Sequence, residues 1–471
     1  MPVRPVYRSL IPHDTSQTLV NDVHSQLNST RVARIVRPSS VDELAATIAD
    51  VRATGCAVAV AGGRHAMGGQ QFAEGAVLVD TRQMDRVLDL DEDGGLVTVE
   101  AGIQWPELIA RLQSTRWGIV QKQTGADRLS LAGALSANAH GRGLALKPII
   151  DQIESFDLVD ACGNIRTCSR EAHADLFGLA IGGYGLFGVI ARVRLRLRPR
   201  LKVRRVVVLA ETEGIIDRFE ERIRDGYLYG DYQFATDSNR DSFLARGIFS
   251  CYQPVDDATP LTVNPTRFNP EDWARLTFYS HRYKRRAFQV YSRRYLQTSG
   301  QVYWSDSQLS AAYVDGYHAD LDRALRSRVA ATEMITEIYV ERPRLARFMD
   351  DAKRELRARK ANMIYGTVRM IERDDESYLA WARKRYACVI FNLHVEHTPQ
   401  GLSRAADAFR SLIDLGLAYG GTYYLTYHRW ARKDQVERGY PKMASFLALK
   451  RQYDPEGLFQ SSWYRHLCRL L

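Results

Sequence analysis

Apolar and polar positions in the first 200 residues alternate between strand and helix periods. Val32–Val36 reads as a short strand. Ser40 then precedes Val41, Leu44, Ala45, Ile48 and Val51, whose three- and four-residue spacing marks one helix face. Ser40 with Glu43 three positions on predicts a capping box, and Gly55 closes the helix. Cys56–Ala61 is a short apolar run of the buried-strand kind, leading straight into Gly62-Gly63-Arg64-His65. Ala76–Asp80 is a further strand. Val87–Leu90 and Leu96–Val99 flank Asp91-Glu92-Asp93-Gly94-Gly95 as a hairpin, and Trp105–Leu112 reads as a helix with Pro106 in its first turn. Ser155–Val159 and Ile165–Thr167 form a second hairpin around Ala161-Cys162-Gly163-Asn164. In Val189–Leu197 and beyond, Arg192, Arg194, Arg196 and Arg198 alternate with Val193, Leu195 and Leu197. That period of two predicts a half-buried strand with a solvated arginine face.

Beyond Pro199 the alternation is less regular. Val203–Leu209, Met334–Val340, Met363–Met370 and Ala387–His394 read as sheet strands, Leu402–Leu415 as a helix, and aromatics crowd Phe278–Tyr303. The chain ends in a distinctive Tyr453-Asp454-Pro455-Glu456-Gly457-Leu458-Phe459. There is no internal repeat and no low-complexity segment.

Bulk composition narrows the class. The 471 residues are 45% apolar and 25% charged, an ordinary globular balance for a chain of two or three domains. Six scattered cysteines form no C-x-x-C pair, so neither a zinc site nor a disulfide framework is expected, and Cys56 and Cys388 read as core. Met1–Leu10 lacks a leader's apolar stretch, and no window is apolar enough to span a bilayer. A soluble cytoplasmic protein, without stable membrane insertion, is the default. The net charge of +10 has no basic run interleaved with aromatics, so no nucleic-acid partner is expected. His394, Glu396 and His397 form an H-x-E-H string, but on a strand His394 and Glu396 share a face that His397 leaves, so no metal is expected.

The chemistry concentrates in three glycine-rich turns that follow apolar strands: Gly62–Gly69, Leu131–Gly143 and Gly182–Gly188. Glycine permits close backbone approach, and successive exposed N–H groups make a concavity for an anion such as a pyrophosphate. A Rossmann site is excluded. The first turn has the wrong glycine spacing, and Gly183-Tyr184-Gly185-Leu186-Phe187-Gly188 is followed by a strand, not a helix.

The order and spacing of these motifs resemble the vanillyl-alcohol oxidase / p-cresol methylhydroxylase (PCMH-type) superfamily of flavoproteins. The resemblance runs from Ile35-Val36-Arg37-Pro38 and Val41-Asp42-Glu43-Leu44 through Gly62–Gln70, Val77–Asp80 and Val99-Glu100-Ala101-Gly102. It continues through Gly133–Gly141 and Gly183–Ile190 and resumes at Asp454–Phe459. It implies an α+β protein: a two-subdomain PCMH-type FAD-binding domain over residues 1–200, an α+β substrate or cap domain with an antiparallel sheet over 201–433, and a segment, 434–471, returning to the FAD domain. The cofactor contacts it implies are Ala61, Gly62, Gly63, Arg64, His65, Ala66, Gly69 and Gln70 from the first turn. Thr124, Gly125, Ser130, Gly133, Ala134, Ser136, Ala137, Asn138, His140 and Gly141 come from the second, and Gly185, Gly188, Val189 and Ile190 from the third. The superfamily's first-turn histidine commonly bonds to the flavin 8α-methyl carbon, and His65 stands in that place, between Arg64 and Ala66 where the usual neighbours are Gly and Ser. A neutral imidazole suits the bond chemically; the other role open to His65 is to cap the turn and hydrogen-bond the FAD. No cysteine lies between Gln121 and Gly143, so a second tether is not expected.

The later residues are similar to the aldonolactone and alditol oxidase branch. Tyr365-Gly366-Thr367-Val368-Arg369 places Arg369 where that branch binds substrate, with Thr367 in the position of its usual glutamate. Tyr427-His428-Arg429-Trp430-Ala431-Arg432-Lys433 resembles a His-Trp-x-Lys signature. Either Arg432 or Lys433 takes the cationic place, and His428 is either a general base or a packed histidine. The last third also resembles decaprenylphosphoryl-ribose oxidase. The resemblance implies an FAD-dependent oxidoreductase that takes a hydride from a carbinol carbon of a small, sugar-like substrate onto flavin N5, with oxygen or another acceptor reoxidising it. The alternative is the oxidising half of a two-enzyme epimerisation of a lipid- or phosphate-linked sugar.

Overall fold

The computed structural model describes residues 18–309 and 316–471; Met1–Leu10, read for a leader, lies outside them. Three short strands, Arg34–Val36, Val58–Ala61 and Val77–Asp80, form a parallel sheet with Val77–Asp80 at its centre. Parallel neighbours need crossovers, and the Val41–Ala53 helix supplies the first, burying Val41, Leu44, Ile48 and Val51. Its N-terminus departs from the expected capping box. Ser40 does accept from the Glu43 amide, but the Glu43 carboxylate accepts from the Ser39 amide at 2.8 Å, one residue too early.

A second, antiparallel sheet orders its main strands as Ile165–Ser169, Ile153–Val159, Val189–Pro199, Leu96–Glu100 and Val87–Asp91. The arginine-striped strand lies at its centre. Its outer face is ion-paired as well as solvated: Arg196 meets Glu154 at 2.5 Å and Arg192 meets Asp157 at 3.5 Å. The chain's end returns to the parallel sheet, where the Val58 amide donates to Leu458 and the Gln460 amide to Val58, at 2.7 and 2.8 Å. Buried Asp454 holds that bend by accepting from Lys450 and from the Leu458 and Phe459 amides.

The third sheet has eight strands, all antiparallel, in the order Val302–Trp304, Lys202–Glu211, Arg246–Pro254, Tyr229–Phe234, Met363–Ile371, Tyr386–Glu396, Ala331–Glu341 and Thr422–Tyr423. One face is apolar and packs beneath the helices Leu345–Ala358 and Pro399–Ala418, where Phe348 meets Phe391. Thr398 caps the longer helix by accepting from the Gly401 amide at 3.0 Å, and Pro399 opens its first turn. The other face is polar and looks toward the glycine turns, with the helices Pro270–Arg282, Lys284–Gln297 and Tyr317–Leu325 packed against interior strands of the sheet. Among the described residues no helix is long and apolar enough to cross a membrane.

Candidate active site

A cavity of about 760 Å³ lies between the glycine turns and the polar face of the large sheet. Its first wall is backbone. A Cβ added at Gly62 would stand 2.0 Å from Ser130 Oγ, and one at Gly63 2.3 Å from the Arg128 carbonyl oxygen. The first two turns are therefore packed so closely that only glycine fits, which bares the main chain to the cavity. Arg64, in the left-handed region at φ 61°, bonds the fully buried Asp80 at 3.2 Å. Arg82 shares that carboxylate at 2.6 Å. Burial raises the Asp80 carboxyl, but Arg82 and Arg64 outweigh it and hold it below its ordinary range.

Most of the expected cofactor residues line this cavity. Gly62, Gly63, Arg64, His65, Ala66 and Gln70 come from the first turn. Thr124, Gly125, Ser130, Gly133, Ala134, Ser136, Ala137 and His140 come from the second, and Gly185, Gly188, Val189 and Ile190 from the third. Four stand behind the wall. Ala61 ends the parallel strand, and Gly69 packs against Asn28 and Ser462. Asn138 is fully buried and donates to Asp374 at 2.8 Å, and Gly141 is pressed against the Lys122 carbonyl. These four shape the turns and do not face the space.

His65 is buried at the cavity edge with Nδ1 2.8 Å from His24 Nε2. Burial, followed by the neighbouring His65 and His318, pushes His24 down to about 3, so its ring is neutral at physiological pH.

The second wall is side chain. Residues paired across antiparallel strands share a face. Arg205 faces across to Tyr252, Gln233 to Thr367, Arg369 to Cys388, and Glu337 and Glu333 to Ile390 and His394. This row puts charged and amide groups where a core sheet carries aliphatics. Glu337 is its hub. Oε2 accepts from Tyr339 at 2.8 Å and meets His140 Nε2 at 2.9 Å, while Oε1 accepts from Tyr427 at 2.8 Å. Burial raises this carboxyl, but His140, with Arg369 and Tyr427, outweighs burial and holds it below its ordinary range. Arg369 donates to Thr124 Oγ1 at 2.6 Å, joining the sheet to the second glycine turn.

Several polar atoms buried in the cavity walls have no protein partner: Arg64 Nε and both Gln123 side-chain atoms toward the turns, and Arg369 Nε, Asp231 Oδ1, Gln233 Oε1 and Asn392 Oδ1 toward the sheet. Leaving each unsatisfied costs about 1–3 kcal/mol, so this space is built for polar ligands. The backbone wall and its orphan donors fit FAD. The sheet wall, with Tyr252 and Tyr365 among its amides and charges and Tyr291 and Tyr295 of the Lys284–Gln297 helix beside it, fits a hydroxylated small molecule.

The remaining residues singled out from sequence lie elsewhere. His428 is buried outside the cavity, stacked on Phe409 at 4.9 Å and beside Trp430, with Nε2 3.2 Å from Thr336 Oγ1. Burial and nearby Arg410 push it down to about 3, so it packs and does not reach the reacting space. Arg432 is on the surface, paired with Asp414 and Asp434 at 2.9 and 3.0 Å, and Lys433 donates to the Leu471 carbonyl at 3.2 Å. Neither cation lines the cavity, because their segment turns outward to start the Lys433–Gly439 helix. Conversely, the pattern reading passed over Glu337, Tyr427 and His24. A strand carrying Glu333 and Glu337 on one face among Met334, Ile338 and Val340 was the available signal, because an unpartnered charge has no place in a covered sheet.

Residues 32–169 match the family described as FAD binding domain. Over 441 residues the chain is 24% identical to L-gulono-1,4-lactone dehydrogenase of Mycobacterium tuberculosis, covering 92% of this chain and 95% of that protein. It is 26% identical over 189 residues to L-gulonolactone oxidase of Mus musculus, covering 40% of this chain and 42% of that protein. It is 29% identical over 182 residues to cytokinin dehydrogenase 4 of Oryza sativa subsp. japonica, covering 36% and 34%.

Proposed function

We propose that this chain, which belongs to the superfamily of PCMH-type FAD-linked oxidases and dehydrogenases, oxidises a hydroxyl-bearing carbon of a small, sugar-like molecule. The observation that carries this reading is the pairing of a backbone-lined glycine wall with a polar sheet wall across one cavity. The relatives named for gulonolactone favour an aldonolactone or a similar polyhydroxylated compound. Residues 1–200 with 434–471 hold the cofactor, and 201–433 present the substrate.

Bound FAD supplies a hydride acceptor at N5 and is reoxidised by oxygen or another acceptor. The turn residues Gly62–Ala66 and Ser130–Ala137 hold its phosphates and ring, and His65 is the residue for a covalent bond to it. The 2.8 Å contact of its Nδ1 with His24 Nε2 fixes the ring and leaves Nε2 as the nitrogen for that bond. Arg369 orients the substrate oxygen and stabilises negative charge developing on it, in a site where low polarity strengthens the interaction. Asp231, Gln233 and Asn392 take the substrate's other hydroxyls through their unpartnered oxygens. Tyr427 takes the hydroxyl proton as its own passes to the Glu337 carboxylate, along a hydrogen bond that is already formed.

The test is turnover of a panel of aldonolactones, free polyols and phosphate-linked sugars, with an artificial dye as acceptor. Oxidation of the lactones or polyols supports the reading. Oxidation of the phosphate-linked sugars alone transfers it to the epimerising system.

A further inference from the structure

One group of side chains on the cavity's edge takes no part in that chemistry. Glu333 lies two same-face positions before Glu337 on Ala331–Glu341, about 13 Å away along the strand. Its carboxylate is 3% exposed and is met by nitrogens from three histidines. His281, in the last turn of Pro270–Arg282, brings Nε2 to 3.0 Å from Glu333 Oε1. His394, directly across the strand pair, brings Nδ1 to 3.3 Å from the same oxygen. His318, from Tyr317–Leu325, brings Nδ1 to 2.9 Å from Oε2, which also accepts from Tyr317 at 2.5 Å.

Ordinary charge pairing does not account for this group. A carboxylate is neutralised by one imidazolium, and here three imidazoles surround it. His281 Nε2 and both His318 nitrogens lack a well-aligned hydrogen bond, although the His281 and His318 side chains are only 3% and 6% exposed. Three imidazoles around one carboxylate are more than its charge requires, and they are the ligand types that a zinc-class ion gathers. The His281 and His394 rings stand at 87° with centroids 4.8 Å apart, which leaves both nitrogens turned toward Glu333. The ligand atoms of His281, Glu333 and His394 all lie within 4.8 Å of one another. Around a tetrahedral zinc-class ion with bonds near 2.0–2.2 Å, neighbouring ligand atoms sit about 3.3–3.5 Å apart, so small side-chain rotations close the set.

We propose that His281 Nε2, His394 Nδ1 and Glu333 Oε1 bind a divalent first-row metal ion of the zinc class, with Tyr317 donating to the second carboxylate oxygen. Two imidazoles and one carboxylate suit such ions and leave a position open on the cavity side, which Glu333 lines. The ion ties the Pro270–Arg282 helix to the strands Ala331–Glu341 and Tyr386–Glu396 and so closes that end of the cavity.

The test uses the purified flavoprotein with its affinity tag removed, stripped with a chelator and then titrated with Co²⁺. The expected result is about one tightly held Co²⁺ per chain, with ligand-field absorption to the red of the flavin bands, displaced by Zn²⁺. Both the bands and the tight binding are lost in His281→Gln and in Glu333→Gln. Flavin absorbance of the same samples checks folding, and it separates a failed metal site from a failed flavin site. Wild-type protein that carries flavin but shows no ligand-field bands overturns the proposal, with no variant needed. Bands that persist unchanged in folded His281→Gln also overturn it.

Discussion

The His65 and His24 rings meet nitrogen to nitrogen at 2.8 Å, so one must donate while the other accepts. The contact holds the His65 ring in place beside the cavity. Acid precipitation of the wild-type protein should leave yellow colour in the pellet, and His65→Ala should release it to the supernatant. His24→Ala should keep the total FAD content and lower the share that stays with the pellet. Colour retained in the His65→Ala pellet would exclude His65 as the tether.

The close approach at Gly62 has a steric consequence. A methyl group there would meet Ser130 Oγ at 2.0 Å, so the second turn must retreat. Gly62→Ala should lower FAD content and the melting temperature together, and Gly62→Ala with Ser130→Gly should recover part of both. Fluorescence-monitored melting with and without added FAD measures this.

Arg369 and Glu337 face the same space from strands on either side of Tyr386–Glu396. Arg369→Lys keeps the charge but loses the planar fork, and should lower kcat/KM by about 10–100-fold with little change in flavin content. Glu337→Gln leaves the bonds to Tyr427 and Tyr339 possible but removes the negative charge beside His140. It should lower kcat more than it raises KM, which stopped-flow reduction of the flavin separates. An unchanged reduction rate in both variants would remove them from the reacting site.

The buried histidines set an acid limit. His24 and His428 are both pushed down to about 3, below the ordinary histidine value of 6.5. Unfolded, they bind protons that the folded protein refuses. Their contribution is therefore complete above pH 6.5 and is lost as pH falls from there toward 3, at up to about 1.4 kcal/mol per pH unit for each group. The depressed Glu337 carboxyl acts in the same sense further down, its contribution disappearing as pH drops through and below the usual carboxylate range. His428→Phe preserves the stacking on Phe409 and should flatten the slope of stability against pH between 6.5 and 3. Turnover at neutral pH should change by less than about threefold, since this residue packs outside the cavity. A loss of several orders of magnitude would restore His428 as a base. Arg432→Ala with Lys433→Ala should likewise leave turnover unchanged and cost at most about 1 kcal/mol, as exposed ion pairs do.

The glycine turns were legible because close backbone approach restricts the residue type, so the requirement is written in the sequence itself. The arginine-striped strand was legible for the same local reason, its period of two falling within Val189–Pro199, and Val203–Leu209 and Ala387–His394 also sit within observed strands. What resisted reading depends on pairing between distant segments. Glu337 meets His140 from 197 positions away, and Glu333 meets His281 and His394 from different elements. His428 and Arg432 matched a local motif, but that motif says nothing about which way its loop turns. The His394-Val395-Glu396-His397 string shows the same limit. Of its charged members only His394 faces Glu333, while Glu396 pairs outward with Arg404 and His397 bonds Thr332.

The central claim is that one cavity brings a bound flavin against a hydroxylated substrate held by Arg369. Anaerobic mixing of the purified flavoprotein with an aldonolactone, followed by absorbance, tests it in a single turnover. The account predicts that the flavin's blue absorption band bleaches at a rate that saturates with lactone concentration and falls in Arg369→Lys. A flavin band that stays unbleached with every aldonolactone and polyol, while a substrate lacking a carbinol carbon bleaches it, would contradict the account.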